Sequence, residues 1–273
     1  MILLLSKWLS VLLYAASTGC YFRHLQRRKP RLGSWGTALF ALALPVHFLA
    51  LLQRGLLMDA VPYLDFYGSL SLFGWMLGLA YLLLELRRKN KAMSIFVLPI
   101  IIAFHLLFAI VPAPAVEQKS WAKGALFAFH VNVSMFAYAA FTLAFISSVT
   151  YLVLYRRLRK HRPGRWAPLL PPLRVLEETS RTSIRVGVVA LAVGVATGIV
   201  RAAQVWTEEA QEIDAKVPIS LACLVIYVTY LLLEGRRGWR GERSAWVSIA
   251  GFSAVLFSYT LGNLLLSRLH SFF

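Results

Sequence analysis

The sequence predicts an all-α protein, a polytopic transmembrane helical bundle of about eight spans. Three observations favour this class. Of the 273 residues, 59% are hydrophobic and 15% are charged, whereas a soluble domain carries about 25% charged residues. The apolar residues fall into runs of about the 20 residues that a helix needs to cross a bilayer. Basic clusters separate those runs, as they do in the cytoplasmic loops of membrane proteins.

Eight apolar runs take up most of the chain, and we treat residues 1–273 as one transmembrane domain. The predicted spans are 2–22, 35–53, 67–86, 93–112, 124–155, 184–201, 217–234 and 246–268. We expect the first to be retained, because it lacks a charged amino-terminal region and a small-residue cleavage site. The fifth is longer than a bilayer requires, so it should extend past the membrane or tilt. No internal repeat is evident.

The basic clusters set the predicted orientation. Most of the 29 Lys and Arg residues lie in the loops after spans 1, 3, 5 and 7. Because basic loops stay in the cytoplasm, both termini are predicted to lie outside. In the longest inner loop, 156–185, prolines are followed by Glu177 and Glu178, which predicts a short helix along the cytoplasmic surface. The net charge of +17 follows from these loops and does not indicate nucleic-acid binding.

Four of the six histidines fall at a similar predicted depth, near the outer leaflet. They are His47 in span 2, His105 in span 4, His130 near the outer start of span 5 and His270 at the outer end of span 8. The other two, His24 and His161, lie in the inner loops, where solvated side chains are expected. Two neutral imidazoles at one depth suit the two faces of a six-coordinate haem. Each histidine could instead hydrogen-bond a neighbouring helix.

Other chemistries fit this pattern less well. Zinc takes three or four ligands, and no HxxxH or HExxH pattern occurs in the sequence. An ion-coupled carrier needs carboxylates within the membrane, and the spans hold almost none apart from Glu85 at an inner boundary. Transport and membrane enzymology stay open as less favoured alternatives. The pair Gly194 and Gly198 forms a GxxxG pattern, which we interpret as internal helix packing.

Four stretches, in order from about residue 45 to the end, carry a family resemblance. They are VPYLDFYGSLSLFGW at 61–75, FHVNVSMFAYAAFTLAFISSVTYL at 129–152, IDAKVPISLACLVIYVTYLLLEGRRGWRG at 213–241 and LGNLLLSRLHSFF at 261–273. They resemble the cytochrome c assembly proteins of the CcsA/ResC type and, among these, the reduced HemX-type branch. The matching positions include Tyr67, Ser69, Leu70, His130, Val131, Ser134, Met135, Tyr138, Asp214, Lys216, Tyr227, Asn263, Leu264, Leu265, Leu269, His270 and Ser271.

The resemblance implies a haem site near the outer membrane surface. In the family, one histidine of the second stretch and one of the fourth ligate haem, and their counterparts here are His130 and His270. His47 and His105 would be alternative ligands or contacts for a second haem. The implied cofactor is haem of the b type.

The resemblance also implies surroundings and partners for that site. The loop between spans 6 and 7 would contribute Trp206 and Asp214 as outer contacts, although it also fits a simple solvated acidic loop. The implied location is the bacterial cytoplasmic (inner) membrane. Besides the lipid bilayer, the partners would be another cytochrome-assembly membrane protein or an apocytochrome.

The chain departs from the family in the features that distinguish a full haem lyase. The tryptophan-rich motif is largely absent, Gly68 stands where the family has Glu, and Thr229 stands where it has an intramembrane histidine. We therefore expect no covalent chemistry by this chain alone. The expected function is haem handling in the biogenesis of cytochrome c or of a respiratory complex. The alternative is a haem-free accessory or regulatory membrane subunit of the HemX type.

Overall fold

The computed structural model describes residues 2–112, 123–161, 164, 167–204, 216–234, 239 and 241–261. These residues form eight α-helices and a 3-10 turn at Ala167–Leu169, with no strand among them. The all-α prediction is thereby confirmed for this part of the chain. The helices are α1 (Ile2–Arg27), α2 (Pro30–Met58), α3 (Phe66–Arg88), α4 (Ser94–Ile110), α5 (Ala125–Arg159), α6 (Leu173–Gln204), α7 (Lys216–Glu234) and α8 (Glu242–Leu261).

The helices have the length and surface of a helical membrane protein. Four of them, α2, α3, α5 and α6, are long and apolar enough to cross a membrane, and α4 is apolar but has only 17 residues. Large apolar side chains face outward: Leu56, Leu57 and Leu232 are 74%, 72% and 72% exposed. Lipid rather than water suits such a surface. The number of crossings and the side on which the termini lie stay predictions.

Local signals explain where two of the helices begin. Pro30 is the first residue of α2, a position where its missing N–H removes no helical hydrogen bond. The Asp65 carboxylate caps α3 by accepting a hydrogen bond from the Gly68 N–H at 3.0 Å. The fifth helix, expected to exceed the membrane thickness, has 35 residues.

The predicted short helix on the cytoplasmic surface is wrong. Residues 173–183 are the first turns of α6, which runs without a break to Gln204. The prolines of this region all precede Leu173, so none interrupts the helix. An ion pair spaced i,i+4, from Arg174 to Glu178 at 2.9 Å, also stabilises these turns.

The first four helices form one compact unit. Each packs against the next in sequence, and α1 also packs against α4, so the four close around one interior. Near the end of α3, Glu85 is 2% exposed. It accepts hydrogen bonds from the Tyr21 hydroxyl at 2.8 Å, the Thr37 hydroxyl at 2.6 Å and the Lys91 ammonium at 2.9 Å. This buried carboxylate thereby ties α1 and α2 to α3.

The last four helices form the second unit, with the same order of neighbours. Its core is aromatic and aliphatic, with the rings of Phe141 and Tyr227 stacked at 4.1 Å. At the end of α7, Glu234 is 6% exposed and forms ion pairs with Arg181 and Arg185 of α6. A carboxylate near the end of the third helix is therefore common to both units.

The two carboxylates belong to one repeated stretch of sequence. YLLLELRR at 81–88 and YLLLEGRR at 230–237 differ at a single position. The shared stretch and the shared order of helix neighbours indicate an internal repeat, which the apolar runs alone did not reveal. The single-domain prediction concerns both units together, and it stays a prediction.

Candidate functional site

The first unit brings together two of the four histidines that were predicted at one depth. His47 of α2 and His105 of α4 are both 0% exposed, and their ring centroids lie 3.7 Å apart. Ser71 of α3 bridges them, with its Oγ 2.8 Å from His47 Nε2 and 3.1 Å from His105 Nδ1. Three helices of the unit thus meet at one buried polar cluster.

The first helix completes this cluster at both ends. The Tyr14 hydroxyl lies 3.0 Å from His47 Nδ1, and Ser10 Oγ lies 2.6 Å from His105 Nε2. Ser10 donates its own proton to backbone carbonyl oxygens one turn earlier, so it must accept from the His105 Nε2–H. Ser71 then donates to His105 and accepts from the His47 Nε2–H. Tyr14, in turn, donates to His47.

We call this set, Tyr14–His47–Ser71–His105–Ser10, the histidine–serine chain. With the protons placed in this way, both imidazoles are neutral. Every ring nitrogen has a hydrogen-bond partner, as a buried polar network requires. A haem bound between two imidazoles needs space for its macrocycle, and rings with centroids 3.7 Å apart leave none. Ligation of haem iron by His47 or His105 therefore requires that ring to leave the chain.

His130 lies in the second unit, half-buried on α5 where this helix meets α6. Its Nδ1 lies 2.8 Å from the Gly194 carbonyl oxygen. Because a carbonyl only accepts, Nδ1 carries a proton, and in the neutral imidazole Nε2 then carries the lone pair. An imidazole that ligates a metal is oriented by a hydrogen bond of this kind, so the donor chemistry of His130 fits haem iron.

Glycines of α6 make room for this arrangement. A Cβ atom on Gly198 would lie 2.6 Å from His130 Cε1, and one on Gly194 would lie 2.6 Å from Ser134 Oγ. Both glycines of the GxxxG pattern therefore admit α5 side chains. The prediction that this pattern serves internal packing is confirmed.

Three predicted site residues, His270, Trp206 and Asp214, lie outside the described residues. Their assigned roles stay predictions. Where the side chains are described, no three or more His, Cys, Asp and Glu residues are grouped so that they could hold a metal ion. The described histidines that were predicted as ligands therefore form two separate groups, His130 in the second unit and the His47–His105 pair in the first.

Sequence analysis missed three charged residues that lie close to the histidine–serine chain. Lys7 of α1, Arg54 of α2 and Asp65 before α3 are all buried. A charge at the edge of an apolar run is the signal that could have found them, because charged groups at membrane depth are rarely without function. Averaging hydrophobicity over a whole span hides a single charge, so the runs alone did not single them out.

Comparison with known families identifies a match that covers most of the chain. The family described as cytochrome C assembly protein matches residues 63–270. This range includes His105, His130 and His270. It begins after α2, so His47 and the amino-terminal helices fall outside the match.

Similar individual proteins extend the likeness to the amino-terminal part. Protein HemX of Bacillus subtilis is 25% identical over 268 residues, covering 96% of this chain and 95% of the relative. Protein HemX of Brevibacillus brevis is 28% identical over 260 residues, covering 92% of each. Cytochrome c biogenesis protein CcsA of a Synechococcus strain is 29% identical over 241 residues, covering 77% of each.

Proposed function

This chain belongs to the cytochrome c assembly protein family, and from that membership we propose that it holds haem near the outer face of the bacterial cytoplasmic membrane. The family and its named relatives support a role in cytochrome c biogenesis. In that role the chain would present haem to another cytochrome-assembly membrane protein or to an apocytochrome. The observation that carries the proposal is the orientation of His130.

His130 would supply one axial ligand through Nε2, and His270 would supply the second. The hydrogen bond from His130 Nδ1 to Gly194 supports this assignment, because it fixes the ring and raises the basicity of Nε2. Two imidazoles hold haem without covalent attachment, which fits haem b as the bound form. Trp206 and Asp214 would contact the ligand from the loop between α6 and α7.

His47 and His105 would be contacts for a second haem rather than its resting ligands. In the histidine–serine chain both nitrogens of each ring have protein partners. One ring would have to exchange a serine or tyrosine hydroxyl for the iron. The primary site stays with His130 and His270, the positions that the family resemblance implies.

The test is an absorption spectrum of the full-length protein, purified in mild detergent from haem-replete cells. We expect a Soret band, with sharp α and β bands after reduction by dithionite. His130→Ala and His270→Ala should each abolish those bands, whereas His24→Ala, in the last turn of α1, should retain them. A colourless wild-type protein, or bands that survive both substitutions, would overturn the assignment.

A second candidate is a haem-free accessory or regulatory subunit of the HemX type. The histidine–serine chain favours it, because buried histidines with complete hydrogen bonding can serve helix packing alone. This candidate predicts a colourless wild-type protein whose thermal stability does not change when hemin is added. The spectrum and a thermal melt together separate the two functions.

A further inference from the structure

Two cations and a single carboxylate are buried at one end of the first unit. Arg54 is 1% exposed, Lys7 is 6% exposed and Asp65 is 6% exposed. Both cations lie over the ring of Phe108, with the Lys7 ammonium 4.6 Å and the Arg54 guanidinium carbon 4.8 Å from its centroid. The group therefore carries an excess positive charge.

The hydrogen bonds of this group leave donors in excess. Asp65 uses both oxygens, since Oδ1 accepts from Arg54 Nη2 at 2.5 Å and Oδ2 accepts from Gly68 N at 3.0 Å. Arg54 Nη1 is buried, and no atom of the described residues accepts a hydrogen bond from it. The Lys7 ammonium, which can donate three hydrogen bonds, reaches the Phe108 carbonyl oxygen at 3.5 Å.

An uncompensated buried cation is costly, and a guanidinium does not lose its proton to avoid that cost. Attraction to an aromatic ring offsets only part of it. An oxyanion would supply both the missing charge and the missing acceptors. We propose that Lys7 and Arg54 form a receptor for an oxyanion, a carboxylate or a phosphate, carried by an amphipathic molecule at the predicted outer membrane surface.

The surroundings indicate why the anion belongs to an amphipathic molecule. Next to the two cations the helices expose apolar side chains, Trp8 and Leu9 on α1 and Leu56 on α2. A ligand reaching the cations through such a surface needs an apolar body beside its charge. The phosphate of a phospholipid and a propionate of haem both meet this description. The proposal does not depend on haem binding, because the phospholipid satisfies it alone.

The experiment measures binding to the full-length protein in neutral detergent, using two pairs of ligands in each of which only one member carries the anion. One pair is phosphatidylglycerol and the diacylglycerol with the same acyl chains, and the other is hemin and hemin dimethyl ester. Affinity is followed by the thermal unfolding midpoint and, for the haems, by Soret titration. In the pair that contains the physiological source, the anionic member should bind at least about tenfold more tightly, which is the low end of what one hydrogen bond to a charged group contributes.

Two substitutions and a control assign that difference to the receptor. Lys7→Met should abolish it without leaving a carboxylate unpaired, and Arg54→Lys should reduce it while keeping a charge beside Asp65. Lys29→Met, at an exposed position, should leave it unchanged. A preference within the lipid pair alone or the haem pair alone identifies the source, and either supports the receptor. Equal binding within both pairs, or a preference that survives both substitutions, would overturn it.

Discussion

The two units fill the same kind of four-helix interior in different ways. The first unit buries histidines, serines and a tyrosine, and it satisfies them with a chain of hydrogen bonds in one proton order. The second unit buries an aromatic stack, Phe141 on Tyr227, and brings α5 against α6 through glycines. Both units also bury apolar side chains and hydrogen-bonded serines. At the places compared, however, the first unit joins its helices through matched polar partners, and the second joins them through close packing.

The difference is confined to part of each unit. Both third helices end in the repeated stretch, and both bury its carboxylate beside a basic side chain: Glu85 pairs with Lys91, and Glu234 pairs with two arginines of α6. The two units thus share a framework, which is the order of helix neighbours and the buried carboxylate of the third helix, but their interiors differ. Because the framework is shared, the histidine–serine chain and the His130 contact mark the places where the functions of the two units can differ. Substitutions can test whether the stability of the first unit depends on paired buried polar groups and that of the second on close packing.

The largest expected effect is the loss of Arg54. Arg54→Ala leaves the Asp65 carboxylate buried without its partner, which should lower the free energy of unfolding by about 3–5 kcal/mol. The measurement is reversible unfolding of the purified protein in mixed detergent micelles. Arg31→Ala, at an exposed position, is the matched control and should change stability by less than about 0.5 kcal/mol.

A second substitution shows whether the cost arises from the unpaired charge. Adding Asp65→Asn to Arg54→Ala removes that charge and keeps an acceptor for the Gly68 N–H, since Asn also caps helices well. The double variant should be more stable than Arg54→Ala. If the stability losses of Arg54→Ala and Asp65→Asn simply added, the pairing of buried polar groups would not explain the stability of the first unit.

The next largest effect should come from the centre of the histidine–serine chain. Ser71→Ala removes the donor to His105 and the acceptor for His47, so two buried ring nitrogens lose their partners. We expect a loss of about 2–3 kcal/mol in the same unfolding assay. The control is Ser17→Ala, which removes a single bond to the Gly36 carbonyl and should cost about 1 kcal/mol or less. Equal losses at the two positions would show that Ser71 makes no special contribution.

The sequence was sufficient to predict the helices because long apolar runs report directly on burial in lipid. It failed on α6, where the charged turns before residue 184 were assigned to the surface. Those turns continue the helix because side-chain pairs four residues apart stabilise it and no proline lies between Leu173 and Gln204. Hydropathy predicts which residues lie within the membrane, whereas a helix ends where its backbone hydrogen bonds end.

The site was harder to predict, because depth in a membrane gives no lateral position. Four histidines were expected at one depth, and the structure places His47 and His105 in contact. It places His130 in the other unit. Which helices become neighbours depends on packing between residues far apart in sequence, and a periodic pattern does not contain that information. The GxxxG pair was predicted correctly because its effect is local: a missing side chain admits a neighbour wherever that neighbour comes from.

The smallest expected effect comes from a substitution in the second unit that changes side-chain volume and leaves the charge unchanged. A Cβ atom at Gly187 would lie 2.5 Å from Phe141 Cε1, and Phe141 is itself stacked on Tyr227. Overpacking should cost about 1–3 kcal/mol, and the better helix propensity of alanine returns up to about 1 kcal/mol. Gly187→Ala should therefore lose up to about 2 kcal/mol in the unfolding assay. Gly19→Ala in α1, where nothing lies within 4 Å of the new atom, should instead gain up to about 1 kcal/mol. If both glycines responded alike, close packing would not be what holds the interior of the second unit.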